Sequence, residues 1–161
     1  MSLNIQINFK ELKKITRWTA SLEEKLTLAD ERDKQLLADR LKAVMSEDLA
    51  LRFGSSPATT QGGQVYGGVF WKPLSESYLK NRPERVQGRI YIDTGELMRS
   101  FDVNSSHIVS EFDKDLKYNF GTRIPYAEKL NEMRPIVVLH QELLDKLAKE
   151  FLDWLLEKEG F

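Results

Sequence analysis

From Met1 to Phe53 the chain contains neither glycine nor proline. Those residues punctuate helices and strands most strongly, so the opening third can hold long uninterrupted elements. Ile5 and Ile7 alternate with Asn4, Gln6 and Asn8, the pattern of a short strand. From Phe9 the period changes: Leu12, Ile15, Trp18, Leu22 and Leu26 recur at helical spacing, with Asn8 and Glu11 in the positions of a capping box. A second stripe follows at Leu37, Leu41, Val44, Met45, Leu49 and Phe53. The period slips near Leu28, and Asp30 can cap a new start, so the pattern predicts two helices with a tight joint. Gly54 ends the run.

Residues 54–68 contain five of the nine glycines and few large apolar side chains. A segment with little to bury and much backbone entropy to lose is expected to be a mobile loop. Gly62-Gly63 has no lysine after it and no strand-to-helix context, so it is not a phosphate loop. Phe70-Trp71 re-enters the folded body. Ser75 can cap a short helix from Glu76 that stops before Pro83, and Asp93 or Thr94 can cap a helix burying Leu97 and Phe101. Ile108-Val109 and Phe112, then Leu116 to Tyr118, flank Asp113-Lys114-Asp115 as a hairpin closed by Gly121-Thr122. Pro125 suits the first turn of another helix. Ile136 to Leu139 reads as a buried strand or extended entry, and Leu143 or Leu144, Leu147, Phe151 and Leu155 line a helix over residues 141–158. Helices mixed with a small antiparallel sheet define an α+β fold, here one domain over residues 1–161: N-terminal helices, a small sheet with intervening helices, and a C-terminal amphipathic helix.

The 161 residues include no cysteine, which removes disulfides, thiol nucleophiles and thiolate metal sites. A formal charge of -1 gives no global attraction to nucleic acid or anionic membranes, and no stretch is long and apolar enough for a membrane span. His107 and His140 have no neighbours at metal-ligand spacing. His140 suits a capping or surface role. No catalytic, cofactor or metal site is assigned. The sequence leaves two other classes open. One is a small hydrolase using Asp93, Glu96 or His107. The other is a nucleic-acid module using Lys80, Arg82, Arg85 and Arg89. Capping explains Asp93 and Glu96 more simply, and a salt-bridged or solvated segment explains the arginines. Trp18, Trp71 and Trp154 lie in apolar patterns as core or interface anchors, with Trp154 the leading candidate for an interface margin.

An ordered set of segments carries a resemblance. It consists of Trp71-Lys72-Pro73-Leu74-Ser75, Ile92-Asp93-Thr94-Gly95-Glu96-Leu97-Met98-Arg99-Ser100, Tyr118-Asn119-Phe120-Gly121-Thr122, Pro125-Tyr126-Ala127-Glu128-Lys129-Leu130-Asn131 and Arg134-Pro135. Together they resemble the phage virion morphogenesis family, also described as tail completion or head–tail joining proteins, over roughly residues 70–158. The resemblance implies a structural protein without catalytic residues, and a bacterial structural protein outside phage biology stands as a third alternative beside the hydrolase and the nucleic-acid module. Its implied partners are copies of itself, in a ring, and phage tail or neck proteins. Its implied location is the virion, or the host bacterial cytoplasm during assembly.

Overall fold

The computed structural model describes residues 2–9, 24, 29–114 and 117–158. The helix expected over 9–28, with its Glu11 capping partner, lies almost wholly outside them. Strand β1 spans Leu3–Ile7. Helix α1 runs over Glu31–Gly54, and Asp30 starts it as expected: the Asp30 carboxylate accepts from the Asp33 N–H at 2.8 Å. This satisfies one of the donors that the first helical turn leaves without a partner. Leu37, Leu41, Met45, Leu49 and Phe53 recur every four residues and are buried.

Strands β2 (Gly63–Val65) and β3 (Val69–Trp71) form a two-stranded hairpin. Helix α2 (Glu76–Asn81) is capped by Ser75, whose hydroxyl accepts from the Tyr78 N–H at 3.1 Å. A single 3-10 turn, Pro83–Arg85, follows. Then come α3 (Glu96–Arg99), β4 (Ile108–Phe112), β5 (Tyr118–Thr122), α4 (Ala127–Met133) and α5 (Gln141–Lys158). The order of the larger sheet is β1-β5-β4, antiparallel throughout. The fold is α+β.

The centre of that sheet explains its composition. Every residue of β5 is buried. Tyr118 and Phe120 enter the core, and the Tyr118 hydroxyl meets Ser110 Oγ at 2.6 Å while Ser110 donates to the Ala38 carbonyl at 2.8 Å. That pair ties the sheet to α1, and burial raises the Tyr118 pKa. On the opposite face Asn119 is covered by Asn4 and Gln6, which donate to its side-chain oxygen at 3.2 and 3.3 Å. Gly121 faces the Leu3 backbone so closely that a Cβ would collide with the Leu3 carbonyl.

Two aromatic groups build the core. Phe9, Phe112, Tyr118 and Phe151 pack between the sheet and α5. Trp71, Phe53, Phe101 and Phe120 continue it, with successive centroids 6.1, 6.1 and 6.0 Å apart.

Two expectations need correction, and a third is decided between its two alternatives. Residues 54–68 hold strand β2 and three buried anchors, Ser56, Thr59 and Val65, so the premise that this segment has little to bury fails. Ser56 donates to the Ile90 carbonyl at 2.5 Å and Thr59 to the Arg85 carbonyl at 2.6 Å. Small polar side chains are buried here because each hydroxyl finds a backbone acceptor. Of the two readings for residues 136–139 the strand drops out: the chain bends at Ile136 and Val137, whose N–H groups donate to the Asn131 side-chain oxygen at 2.8 and 3.1 Å, and leads into α5. Trp154 is 3% exposed and meets Phe151 edge to face, with ring centroids 6.0 Å apart, so it belongs to the core rather than the helix margin. Leu156, 48% exposed, occupies that margin.

Candidate functional site: an open groove

Four of the five segments that carry the resemblance meet around one groove of about 670 Å³. One wall is Lys72 to Ser75 with Tyr78, the floor includes Arg85 and Tyr91, and the other walls are Asp93 to Leu97 and the α4 face from Tyr126 to Arg134. The fifth segment, Tyr118 to Thr122, is the central strand.

Buried clamps hold these walls together. Arg134 is 3% exposed and donates from Nε to the Lys72 carbonyl at 2.6 Å and from Nη2 to the Pro73 carbonyl at 2.9 Å. Trp71 Nε1 donates to the Pro135 carbonyl at 2.7 Å. Arg134 and Trp71 therefore pin the β3 exit to the end of α4. Tyr91 lies between them, its ring 5.2 Å from Trp71 and 5.6 Å from the Arg134 guanidinium. Its hydroxyl donates to the Leu130 carbonyl at 2.5 Å. Tyr91 has φ of 62°, a left-handed conformation that non-glycine residues adopt only when their surroundings enforce it.

Asp93 is not a helix cap. Gly95, at φ 84°, enters α3 with no side-chain cap, and only Thr94 Oγ1 reaches the Glu96 N–H, at 3.3 Å. Asp93 instead accepts from Arg82 Nη2 at 3.1 Å and lies 4.0 Å from Arg85 Nε. Arg82 also pairs with Glu84. Glu96 accepts from the Tyr126 hydroxyl at 2.9 Å. Burial and the neighbouring Glu96 carboxylate push the Tyr126 pKa up to about 12, which keeps the hydroxyl protonated as the donor.

The basic run is divided in use. Arg85 is buried and donates to the Ile92 and Arg89 carbonyls at 2.9 and 2.8 Å; its Nε has no hydrogen-bond partner. Arg89 reaches the Gly54 carbonyl at 3.5 Å, and Lys80 is exposed. Arg89 is therefore tied to Gly54, Arg82 to Glu84 and Asp93, and Arg85 to its own segment, so the run does not present a row of free cations. Of the hydrolase candidates, Asp93 and Glu96 share the groove, whereas His107 is exposed in the turn before β4 and does not line it.

Sequence reasoning missed a second polar cluster. Arg52 is fully buried and donates to Asp48 at 2.6 Å, the Tyr66 carbonyl at 2.8 Å and the Ile136 carbonyl at 2.9 Å. His140 Nε2 lies 2.6 Å from the other Asp48 oxygen, and the His140 carbonyl accepts the Leu144 N–H at the start of α5. His140 thus serves the helix start through its backbone and the buried cluster through its ring. The available signal was an acid and a base four residues apart beside Leu49 and Phe53 in the apolar stripe.

Among the described residues no group of three histidine or acidic side chains is placed to hold a metal, and no helix is long and apolar enough to cross a membrane. Comparison with family models, curated proteins and solved structures finds no match to this chain.

Proposed function

We propose that this chain is a structural protein of phage or prophage assembly that completes the tail or joins head to tail through protein–protein contacts. It works as a homo-oligomer against tail or neck proteins, in the host bacterial cytoplasm and then in the virion. The supporting observation is the convergence of Lys72 to Ser75, Asp93 to Leu97 and Tyr126 to Arg134 around one open groove. At that groove the residues of these segments act as caps, clamps and packing anchors: Ser75 caps α2, and Arg134 and the buried Trp71 fix the walls. Tyr78, Tyr126 and Met133 leave 39, 44 and 47% of their surface exposed around it. Exposed aromatic and methionine side chains gathered at one concavity suit a contact with another polypeptide.

Deleting the coding gene from the phage or prophage and imaging the induced particles tests the proposal. The expected result is separate heads and tails, with joined particles restored by the wild-type gene. Normal joined, infectious particles from the deletion would overturn it.

A further inference from the structure

We propose that residues 82–93 form a flap that lifts as one body from the rest of the fold, so that the groove has a closed and an open form. The inference stands apart from the assembly reading and concerns how the groove changes shape.

The loop is braced from within. Its ends are tied by Arg82 Nη2, which donates to Asp93 at 3.1 Å. Its centre is spanned by Arg85, which donates to the Ile92 and Arg89 carbonyls at 2.9 and 2.8 Å, and the Ile92 N–H donates to the Arg89 carbonyl at 3.3 Å. Among the described residues, the Arg85 guanidinium makes its hydrogen bonds inside the loop. A compact loop with joined ends and its own side-chain bonds can move without coming apart. Both of its ends abut helix termini, where hinges form: α2 stops at Asn81, and Gly95, at φ 84°, starts α3.

The ties to the body run along a seam with residues 56–59. The Ile90 N–H donates to the Pro57 carbonyl at 3.0 Å, and the Thr59 N–H to the Gly88 carbonyl at 3.1 Å. The Ser56 and Thr59 hydroxyls bond the Ile90 and Arg85 carbonyls across the same seam. The fully buried Ile90 side chain and the Tyr91 ring complete the attachment.

Tyr91 is the costly part of that attachment. Its hydroxyl bond to the Leu130 carbonyl and its ring contact with Trp71 are made with the backbone at φ 62°, the one left-handed non-glycine residue among those described. Lifting breaks the contacts that enforce this conformation, so the strain is released with them. The closed form is thus held by a strained latch, and the open form is a minor state of the same fold. When closed, the flap supplies Arg85, Tyr91 and Asp93 to the groove lining. Lifting withdraws all three, so a molecule that fills the groove selects one form over the other.

The chain has no cysteine, so the seam can be locked cleanly. Ala58 and Arg89 are exposed partners in an antiparallel bridge. The flanking bonds, Thr59 to Gly88 and Ile90 to Pro57, make them a non-hydrogen-bonded pair, whose Cα atoms lie about 4.5 Å apart and suit a disulfide. Amide hydrogen exchange is followed by NMR in wild type and in Ala58→Cys, Arg89→Cys protein, reduced and oxidised. In wild type, Thr59 and Ile90 should exchange through one shared opening, about a hundredfold faster than the β5 amides and with a weaker denaturant dependence. Oxidation of the double variant should remove that gap. Tyr91→Ala and Tyr91→Gly both lack the ring, and the glycine protein should open about fivefold less, since glycine accepts positive φ. Thr59 and Ile90 exchanging only in step with β5, a gap unchanged by oxidation, or equal opening with alanine and glycine would each overturn the flap.

Discussion

The molecule has two clusters that each set arginine against aspartate and backbone carbonyls, and they are finished differently. Around Arg52 all three guanidinium nitrogens find acceptors, both Asp48 oxygens are engaged, and burial is complete at Arg52 and nearly so at Asp48. Around Arg85 one nitrogen is left without an acceptor and Asp93 is half exposed. Arg52 joins α1 to the β2–β3 turn and to the entry of α5, so the sealed cluster connects three parts of the chain. Arg85 sits under an open groove. A saturated buried network fixes one arrangement, whereas the second cluster turns its half-exposed carboxylate, Asp93, into the groove lining.

The sharpest way to break this contrast is to remove Arg52. Arg52→Met leaves the Asp48 carboxylate buried with only His140, and should destabilise the fold by about 3–5 kcal/mol in denaturant unfolding. Adding Asp48→Leu should recover much of that loss, since burying an apolar pair avoids the stranded charge. A loss in the single variant too small to resolve would mean that the sealed cluster does not hold the fold. Gly67→Ala probes the same cluster from outside. Gly67 has φ of 100°, and an added Cβ would lie 2.7 Å from Arg52 Nη2 and 3.2 Å from the His140 ring. The expected loss is about 1–3 kcal/mol.

Smaller effects come from exposed positions. Asp30→Ala removes a true cap and should cost about 0.5–2 kcal/mol. Asp93→Ala removes a screened, half-exposed partner of Arg82 and should shift the unfolding midpoint within measurement error. If Asp93→Ala instead matches Arg52→Met, the open cluster is structural after all.

Much of the frame was legible because local rules and tertiary packing agree there. Asp30 and Ser75 cap as their positions suggest, the α1 stripe is buried, and the β4–β5 hairpin lies where the apolar runs on either side of Asp113-Lys114-Asp115 put it. The site was less legible. Asp93 and Glu96 have capping-box spacing, but left-handed Gly95 between them breaks the helix entry and frees Asp93 to turn toward Arg82. Residues 54–68 looked unanchored because hydroxyls rank as exposed by type. Ser56 and Thr59 are buried through carbonyls of Ile90 and Arg85, some 26 to 34 positions away. Trp154 falls in the core because the packing of α5 sets its rotation, which its own sequence leaves open between margin and interior.

The central claim is that the open groove serves assembly while the sealed cluster serves the fold. Complementing the gene deletion with a Tyr126→Ser, Glu96→Lys variant tests it most directly, provided the purified variant unfolds at the wild-type temperature. The account predicts a folded protein that fails to restore joined particles in electron micrographs, counted against wild-type complementation. Full restoration of joined, infectious particles by that folded variant would contradict it.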